Sequence, residues 1–352
     1  MGKKKDILYS RFRFFIIEVI WLFIIIFILY LIPVFLLPSI ISENSVFYGL
    51  IFYLFRALII IISIPISLSI SNFLSAPQKE RLILEEDISP IKGQLMLYKI
   101  TEKNFKYQIL YGLLILFLVF LPIDILGYLF IPGMIKYQAS IYSNQSTGVY
   151  LSEEYFIFLL FAIFIQFSIS FYEESITRGF ITKRGSENFN GISAVMMASL
   201  YFALGHFAYF LFDPQAENFS IYYPLIWFIE AFFIGMILSL LILRRKWIFP
   251  AIIAHALNNI ISAHTIWNYL QGNSFEMLVL VLYLPLLIIG VCLFIWFFSR
   301  IKEGILIGFR MLRKYFKFNK EVGNSSFNII FRIFIDLLVG LLIFLISIFI
   351  AI

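Results

Sequence analysis

Long apolar stretches separated by short polar segments run along the whole chain. A stretch of about 20 apolar residues is long enough to cross the roughly 30 Å hydrocarbon core of a bilayer as a helix. The sequence therefore predicts an all-α, polytopic membrane bundle of about nine transmembrane helices. The predicted spans cover residues 14 to 37, 47 to 72, 109 to 132, 155 to 180, 191 to 212, 223 to 243, 247 to 266, 276 to 298 and 329 to 352.

The polar segments divide these spans into four regions. Residues 1–108 form a two-span region that ends in a charged connector, and residues 109–154 hold the third span and an external loop. Residues 155–266 carry four spans and most of the candidate chemistry. Residues 267–352 hold two spans around a basic segment.

The basic segment has a helical period. Arg310, Arg313, Lys314 and Lys317 recur at i, i+3, i+4 and i+7, and apolar residues lie largely elsewhere on the helical wheel. This pattern predicts an amphipathic helix on the surface of an anionic leaflet.

Composition supports the membrane interpretation. Hydrophobic residues make up 62% of the chain and charged residues 14%, against about 45–50% and 25% in soluble domains. The single cysteine, Cys292, lies in an apolar stretch, which excludes disulfides within the chain and sites built from several thiolates. Membrane lipids are the expected surroundings.

The distribution of basic residues predicts the orientation. The net charge of +6 is compatible with nucleic-acid binding. However, 24 of the 27 Lys and Arg residues lie in the amino-terminal segment and in every second segment between the nine predicted spans, all of which are on one side of the membrane. By the positive-inside rule these segments are cytoplasmic. We therefore expect no nucleic-acid partner, and we expect a cytoplasmic-membrane protein with its amino terminus inside and its carboxyl terminus outside. The first apolar stretch is too long for the core of a signal peptide, so we expect it to be retained.

Two adjacent carboxylates, Glu173 and Glu174, end an apolar run in the segment FYEESITRGF. A charged group well inside a span costs on the order of 2.5–3.5 kcal/mol by insertion scales, and is a functional candidate for that reason. In an α-helix Glu174 and Arg178 share a face and can pair. Glu173 points about 100° away, which leaves its carboxylate unpaired. The structural alternative is that all three residues mark the cytoplasmic end of the span.

Two of the three histidines lie within spans beside other polar groups. His206 follows Phe202 by one helical turn, and His255 precedes Asn259 by one turn on the same face. Counting about 1.5 Å per residue from the inner ends of the spans puts Glu173, His206 and His255 roughly 15, 22 and 14 Å deep. We therefore expect these groups to meet within the membrane. His264 lies on the other side of its helix, and we interpret it as an interface residue.

Three segments, EESITR at 173–178, FALGH at 202–206 and HALNN at 255–259, resemble the motifs of a known family. This is the CAAX-processing and bacteriocin-processing (CPBP, Abi-like) family of intramembrane endopeptidases, which includes the type II CAAX prenyl endopeptidases. The resemblance covers about residues 155 to 262. It implies an endopeptidase that cleaves a peptide or a prenylated protein at the inner leaflet, from a site that opens toward the cytoplasm.

The resemblance also implies roles for individual residues. Glu173 resembles the glutamate that activates the attacking water, and His206 helps to hold that water. His255, as a neutral ring, and Asn259 resemble the pair that stabilises the oxyanion. The supporting residues are Glu174, Arg178 and Phe202.

Two alternatives remain open at this stage. The first is a zinc site, because Glu173, His206 and His255 also form a possible set of two histidines and one glutamate for Zn²⁺. A metal-free mechanism without any cofactor is preferred. With Glu173 as a metal ligand the remaining base would be Glu174, which has Arg178 to pair with. The second alternative is a membrane scaffold, a resistance protein or a transporter that keeps the fold without proteolysis. Arg56, Asp124 and Glu230 would then form a buried charge cluster or an ion path.

Overall fold

The structure, a computed structural model, describes residues 2–75, 94, 95, 97–212 and 218–351. Within these ranges the chain is helical without β-strands, and eight helices are long and apolar enough to cross a membrane. The predicted all-α polytopic class is therefore confirmed. In chain order the helices are α1 (Lys3–Ile40), α2 (Val46–Leu74), α3 (Phe105–Phe130), α4 (Gly133–Ser143), α5 (Tyr155–Asn188), α6 (Gly191–Leu211), α7 (Tyr222–Arg245), α8 (Phe249–Leu270), α9 (Phe275–Trp296), α10 (Phe298–Tyr315) and α11 (Ser326–Ile348).

Helix α8 corresponds to the predicted span at 247 to 266, but it is not one of the eight strongly apolar helices. Its polar residues, which include His255, Asn258 and Asn259, lower its hydropathy. Pro250 in the first turn fits a helix start, where the missing backbone N–H has no helical partner to lose. The helix packs against α3 and α5, so its polar side chains face protein inside the bundle.

The long helices give the bundle two ends. The basic end holds the segments around Leu97, Lys183, Arg244 and helix α10, and there Lys183 Nζ donates to the Leu97 carbonyl over 2.7 Å. The opposite end holds α4 and a 3₁₀-helix, Ser146–Ser152. At that end Trp267 Nε1 donates to the Glu153 carbonyl over 2.9 Å.

The segment predicted as an external loop is packed onto the opposite end. Tyr137 and Tyr150 are buried there. A Cβ atom at Gly49 would lie 2.5 Å from the Thr147 carbonyl oxygen, so glycine allows α2 to approach the 3₁₀-helix closely.

Two buried ion-pair networks attach the outer helices to the region 155–266. Glu18 on α1 accepts two hydrogen bonds from the Arg184 guanidinium, over 2.7 and 3.0 Å. Arg11 on α1 donates to Asp336 on α11 over 3.0 Å and to Ser193 on α6 over 2.9 Å. The first and last spans are therefore part of the same packed body as the four central spans.

The two predicted polar segments have different outcomes. Helix α10 forms at the basic segment, and its apolar side chains Ile305 and Phe309 are exposed. Its position on a leaflet stays a prediction. Most of the predicted charged connector falls on residues 76–93, outside the described residues.

Candidate active site

The two adjacent glutamates lie where helix α5 changes its winding. The α-helical part ends at Glu174, and Ser175–Arg184 continue as a π-helix. Segments of π-helix are rare and occur frequently at functional sites. Glu174 is fully buried, whereas Glu173 is 29% exposed and lines a cavity within the bundle.

Glu174 joins Arg178 to His255. Its Oε1 atom lies 3.1 Å from Arg178 Nη1 and 2.9 Å from His255 Nδ1. Because a carboxylate paired with a guanidinium is ionised and can only accept, the proton of this hydrogen bond belongs to His255 Nδ1. The hydrogen bond therefore fixes both the orientation and the tautomer of the imidazole.

The other ring nitrogen of His255 faces the second glutamate. His255 Nε2 lies 3.7 Å from Glu173 Oε2, too far for a hydrogen bond and close enough for one water to contact both atoms. With the proton on Nδ1, a neutral ring presents a lone pair at Nε2. In this tautomer a neutral His255 accepts at Nε2 and does not donate there, and its predicted role at the oxyanion stays a prediction.

Thr177 and Phe202 complete the surroundings of Arg178. Arg178 Nη1 donates to Thr177 Oγ1 over 2.7 Å, and that hydroxyl donates to the Glu173 carbonyl over 2.5 Å. The Arg178 guanidinium carbon lies 4.3 Å from the centre of the Phe202 ring. Such cation–π contacts help to hold a desolvated guanidinium in place.

His206 reaches the same cavity from α6. Its Nδ1 lies 2.9 Å from the Phe202 carbonyl, so Nδ1 carries the proton and Nε2 is free to accept. The Phe202 ring contacts His206 edge-to-face at 4.7 Å and His255 at 5.8 Å between ring centres. His206 also lies within electrostatic reach of Glu173 and His255.

The two asparagines of HALNN have different surroundings. Asn259 is half-buried and lines the cavity. Asn258 also lines the cavity, where it interacts with Asp124, and its buried Oδ1 has no hydrogen-bond partner within the described residues.

The cavity has a volume of about 340 Å³ and extends from Glu173 and Thr177 to the opposite end of the bundle. There it is lined by Gln145, Thr147 and Gly148. None of its described lining residues comes from the segments at the basic end. The orientation of the two ends in the membrane and the predicted opening toward the cytoplasm stay predictions.

The arrangement of donors does not fit the zinc alternative. The described residues contain no group of three or more His, Cys, Asp or Glu side chains that could hold a metal ion. Nδ1 hydrogen bonds to a carboxylate and to a backbone carbonyl are typical of metal-binding histidines, and they also orient a histidine that binds water. We therefore derive no step through a metal.

Three charged residues from other spans line the same cavity. Asp124 accepts from Ser262 over 3.0 Å, and Glu230 lies within electrostatic reach of Asp124. Arg56 contacts the rings of Tyr172 and Tyr53, with its guanidinium carbon 4.4 and 5.7 Å from the ring centres. Within the described residues neither carboxylate forms an ion pair with Arg56, although all three side chains line one cavity.

The aromatic contacts of Arg56 offset much of the cost of placing its charge within a span. A charge near the middle of a span costs about 2.5–3.5 kcal/mol. A cation–π contact contributes about 0.5–2 kcal/mol. The two ring contacts together contribute about 1–4 kcal/mol, which is comparable to this cost.

Sequence reasoning missed several residues around the site. Phe120 stacks on His255 with ring centres 5.8 Å apart, and the ring of Trp227 contacts His206 at 5.0 Å. Both belong to apolar runs in which nothing distinguishes one aromatic residue from its neighbours. Thr177 lies inside the EESITR motif, between Glu173 and Arg178. This position in the sequence could have indicated its contact with both residues.

Residues 155–261 match the family model for the type II CAAX prenyl endopeptidase Rce1-like proteins. This confirms the resemblance seen in the three motifs and gives this segment a CAAX-protease-like character in general. The match spans α5, α6, α7 and most of α8. Comparison with curated proteins and with solved structures gives no match.

Proposed function

We propose that this protein is an intramembrane endopeptidase in which Glu173 activates a water molecule for attack on a peptide bond. The observation that carries the proposal is the gap between Glu173 Oε2 and His255 Nε2, 3.7 Å wide and facing the cavity. A water that lies in the cavity beside these two atoms can donate one proton toward the carboxylate and the other toward the histidine lone pair.

The reaction begins with the transfer of a proton from this water to Glu173. The resulting hydroxide forms a bond to the carbonyl carbon. Before the water reacts, its second proton points to the Nε2 lone pair of His255, with the Nε2 lone pair of His206 as the alternative acceptor. When the tetrahedral intermediate collapses, the C–N bond breaks and the protonated Glu173 gives its proton to the leaving nitrogen. The products are a carboxylic acid and an amine, and Glu173 is again ionised.

Asn259 is the proposed donor to the oxyanion. Its side chain lines the cavity one turn after His255, and its amide offers N–H donors without charge. A donor placed where negative charge develops stabilises the intermediate more than the substrate. His255, held by Glu174, serves as a residue that positions water in this proposal.

Peptides and prenylated proteins are the proposed substrates, in line with the family match. An apolar chain or prenyl group would lie along the membrane while the scissile bond enters the cavity. Because the cavity extends away from the basic end, we propose cleavage within the bundle rather than at the surface of the inner leaflet.

The test is cleavage of a fluorescence-quenched prenylated peptide, and of an unprenylated peptide library, by purified protein in lipid. We expect Glu173→Gln to lower kcat at least about 100-fold, in the range of general acid–base catalysis. Glu276→Gln is the matched control, because Glu276 is an exposed carboxylate outside the cavity. Absence of any cleavage by the wild type, or equal cleavage by Glu173→Gln, would overturn the proposal and favour a scaffold or transporter.

A further inference from the structure

Arg56 is a charged group that the proposed reaction does not use. It comes from α2, outside the segment that matches the family, and lines the same cavity as Glu173. Within the described part of the chain its guanidinium forms no ion pair with a carboxylate. Its contacts are the rings of Tyr172 and Tyr53, and Tyr30 and Tyr209 lie within electrostatic reach.

The ring contacts leave the hydrogen-bonding edge of the guanidinium available. Cation–π contacts are made over the face of an aromatic ring, and the five N–H groups of an arginine point outward in the plane of the guanidinium. That planar fork matches the two oxygens of a carboxylate.

The position of Arg56 connects it to the proposed chemistry. It contacts Tyr172, the residue directly before Glu173. Tyr201 and Tyr209 lie within electrostatic reach of both Arg56 and Glu173. An anion at Arg56 would therefore occupy the part of the cavity that adjoins the water-activating carboxylate.

Within the described residues none of the carboxylates in or beside the cavity, Glu173 included, forms an ion pair with Arg56. Asp124 interacts with Ser262 and Asn258, and Glu230 interacts with Asp124. The carboxylate of Glu174, outside the cavity, contacts Arg178 and His255. An incoming carboxylate would therefore find at Arg56 a cation that no described side chain neutralises.

We infer that Arg56 binds a carboxylate of the substrate and selects peptides that carry one near the scissile bond. Two sources offer the same carboxylate chemistry. One is the α-carboxylate of a peptide that ends in the cavity, and the other is the side chain of an acidic residue. This inference rests on the proposed function and adds a specificity residue to it. Its test uses binding, so that it does not depend on turnover.

Binding is measured with a short hydrophobic peptide bearing a neutral fluorophore, in three forms. One form has a free carboxyl terminus, one is amidated, and one is amidated with a single aspartate. The protein is the Glu173→Gln variant in lipid, which holds the peptide without cleaving it. We expect a free or side-chain carboxylate to strengthen binding about tenfold, and the better of the two charged peptides identifies the source.

The same measurement is repeated with Arg56 changed. Arg56→Gln should bind the charged and amidated peptides within about twofold of each other, whereas Arg56→Lys should keep part of the preference because it keeps the charge. Lys136→Gln is the matched control, because Lys136 is exposed at the same end of the bundle and does not line the cavity. It should keep the full preference.

Several outcomes would overturn the inference. One is equal binding of charged and amidated peptides by the protein with Arg56 intact. This outcome does not depend on whether an Arg56 variant folds. Another is a carboxylate preference that survives in Arg56→Gln. Thermal unfolding adds a second measurement: the charged peptide should raise the Tm of the protein with Arg56 and not that of Arg56→Gln. Cleavage by the wild type without a carboxylate preference would leave the proposed function standing and remove only the role of Arg56.

Discussion

His255 Nδ1 lies 2.9 Å from Oε1 of Glu174, a residue 81 positions earlier in the chain. This hydrogen bond crosses from α8 to the last α-helical residue of α5 and is buried on both sides. We therefore propose that Glu174 is a positioning residue, because it holds His255 and does not line the cavity where the substrate would bind.

Glu174→Gln should therefore impair turnover without impairing substrate binding. An amide can present either an oxygen or an NH₂ group to Nδ1, so the ring loses its fixed tautomer. Loss of such a supporting partner typically costs 10- to 100-fold, and we expect kcat to fall by about that factor at an unchanged KM. Steady-state kinetics with the quenched peptide would check this.

A structural explanation of that loss needs its own control. Glu174→Gln leaves Arg178 buried without its carboxylate, which lowers stability. In the double variant Glu174→Gln/Arg178→Met the charge is gone, and we expect stability to recover while kcat stays low. Recovery of kcat together with stability would show that Glu174 acts only on folding.

Asn259→Ala should lower kcat about 100- to 1000-fold, the usual effect of removing a donor to an oxyanion. Asn258→Ala is the matched control on the next position of the same helix, where the side chain interacts with Asp124. We expect it to change kcat less than about threefold. Similar losses in both variants would indicate a general disturbance of α8 and would remove the role proposed for Asn259.

The hydrophobic pattern predicted the spans well because the bilayer sets the length of each helix. It also placed Glu173, His206 and His255 at similar depth, and the structure brings all three to one cavity. Helical periodicity predicted that Glu174 and Arg178 pair, and their separation is 3.1 Å. Local spacing was sufficient for these features.

Features that depend on several spans were beyond the sequence. The π-helix Ser175–Arg184 cannot be read from an apolar pattern with a period of 3.6 residues. The extent of the cavity depends on how α2, α4 and the 3₁₀-helix pack, and depth counting from the basic end gave no sign that it runs toward the opposite end. The tautomer of His255 depends on the contact of Nδ1 with Glu174, which joins two different spans.

Metal analysis of the purified protein should find less than one ion per chain, and chelators should leave peptide cleavage within about twofold of the untreated rate. The reason is the spacing of the described donors, which brings no three of them together around an ion. Elemental mass spectrometry and activity in chelator would check both points. A stoichiometric zinc ion whose removal abolishes cleavage would replace the metal-free mechanism.

Glu18→Ala should destabilise the protein by about 3 kcal/mol. Arg184 is buried and its guanidinium donates two hydrogen bonds to Glu18, so removal of this partner leaves a buried charge that Glu187 compensates only in part. Glu187→Ala is the matched control, because Glu187 contacts the same guanidinium at 2.8 Å but is 34% exposed, and it should cost less than about 1 kcal/mol. Unfolding by denaturant in detergent micelles would compare the two. Arg184 ends the π-helix that follows Glu174, so its ion pair with Glu18 connects α1 to the site. An equal loss of stability in both variants would contradict this role of α1.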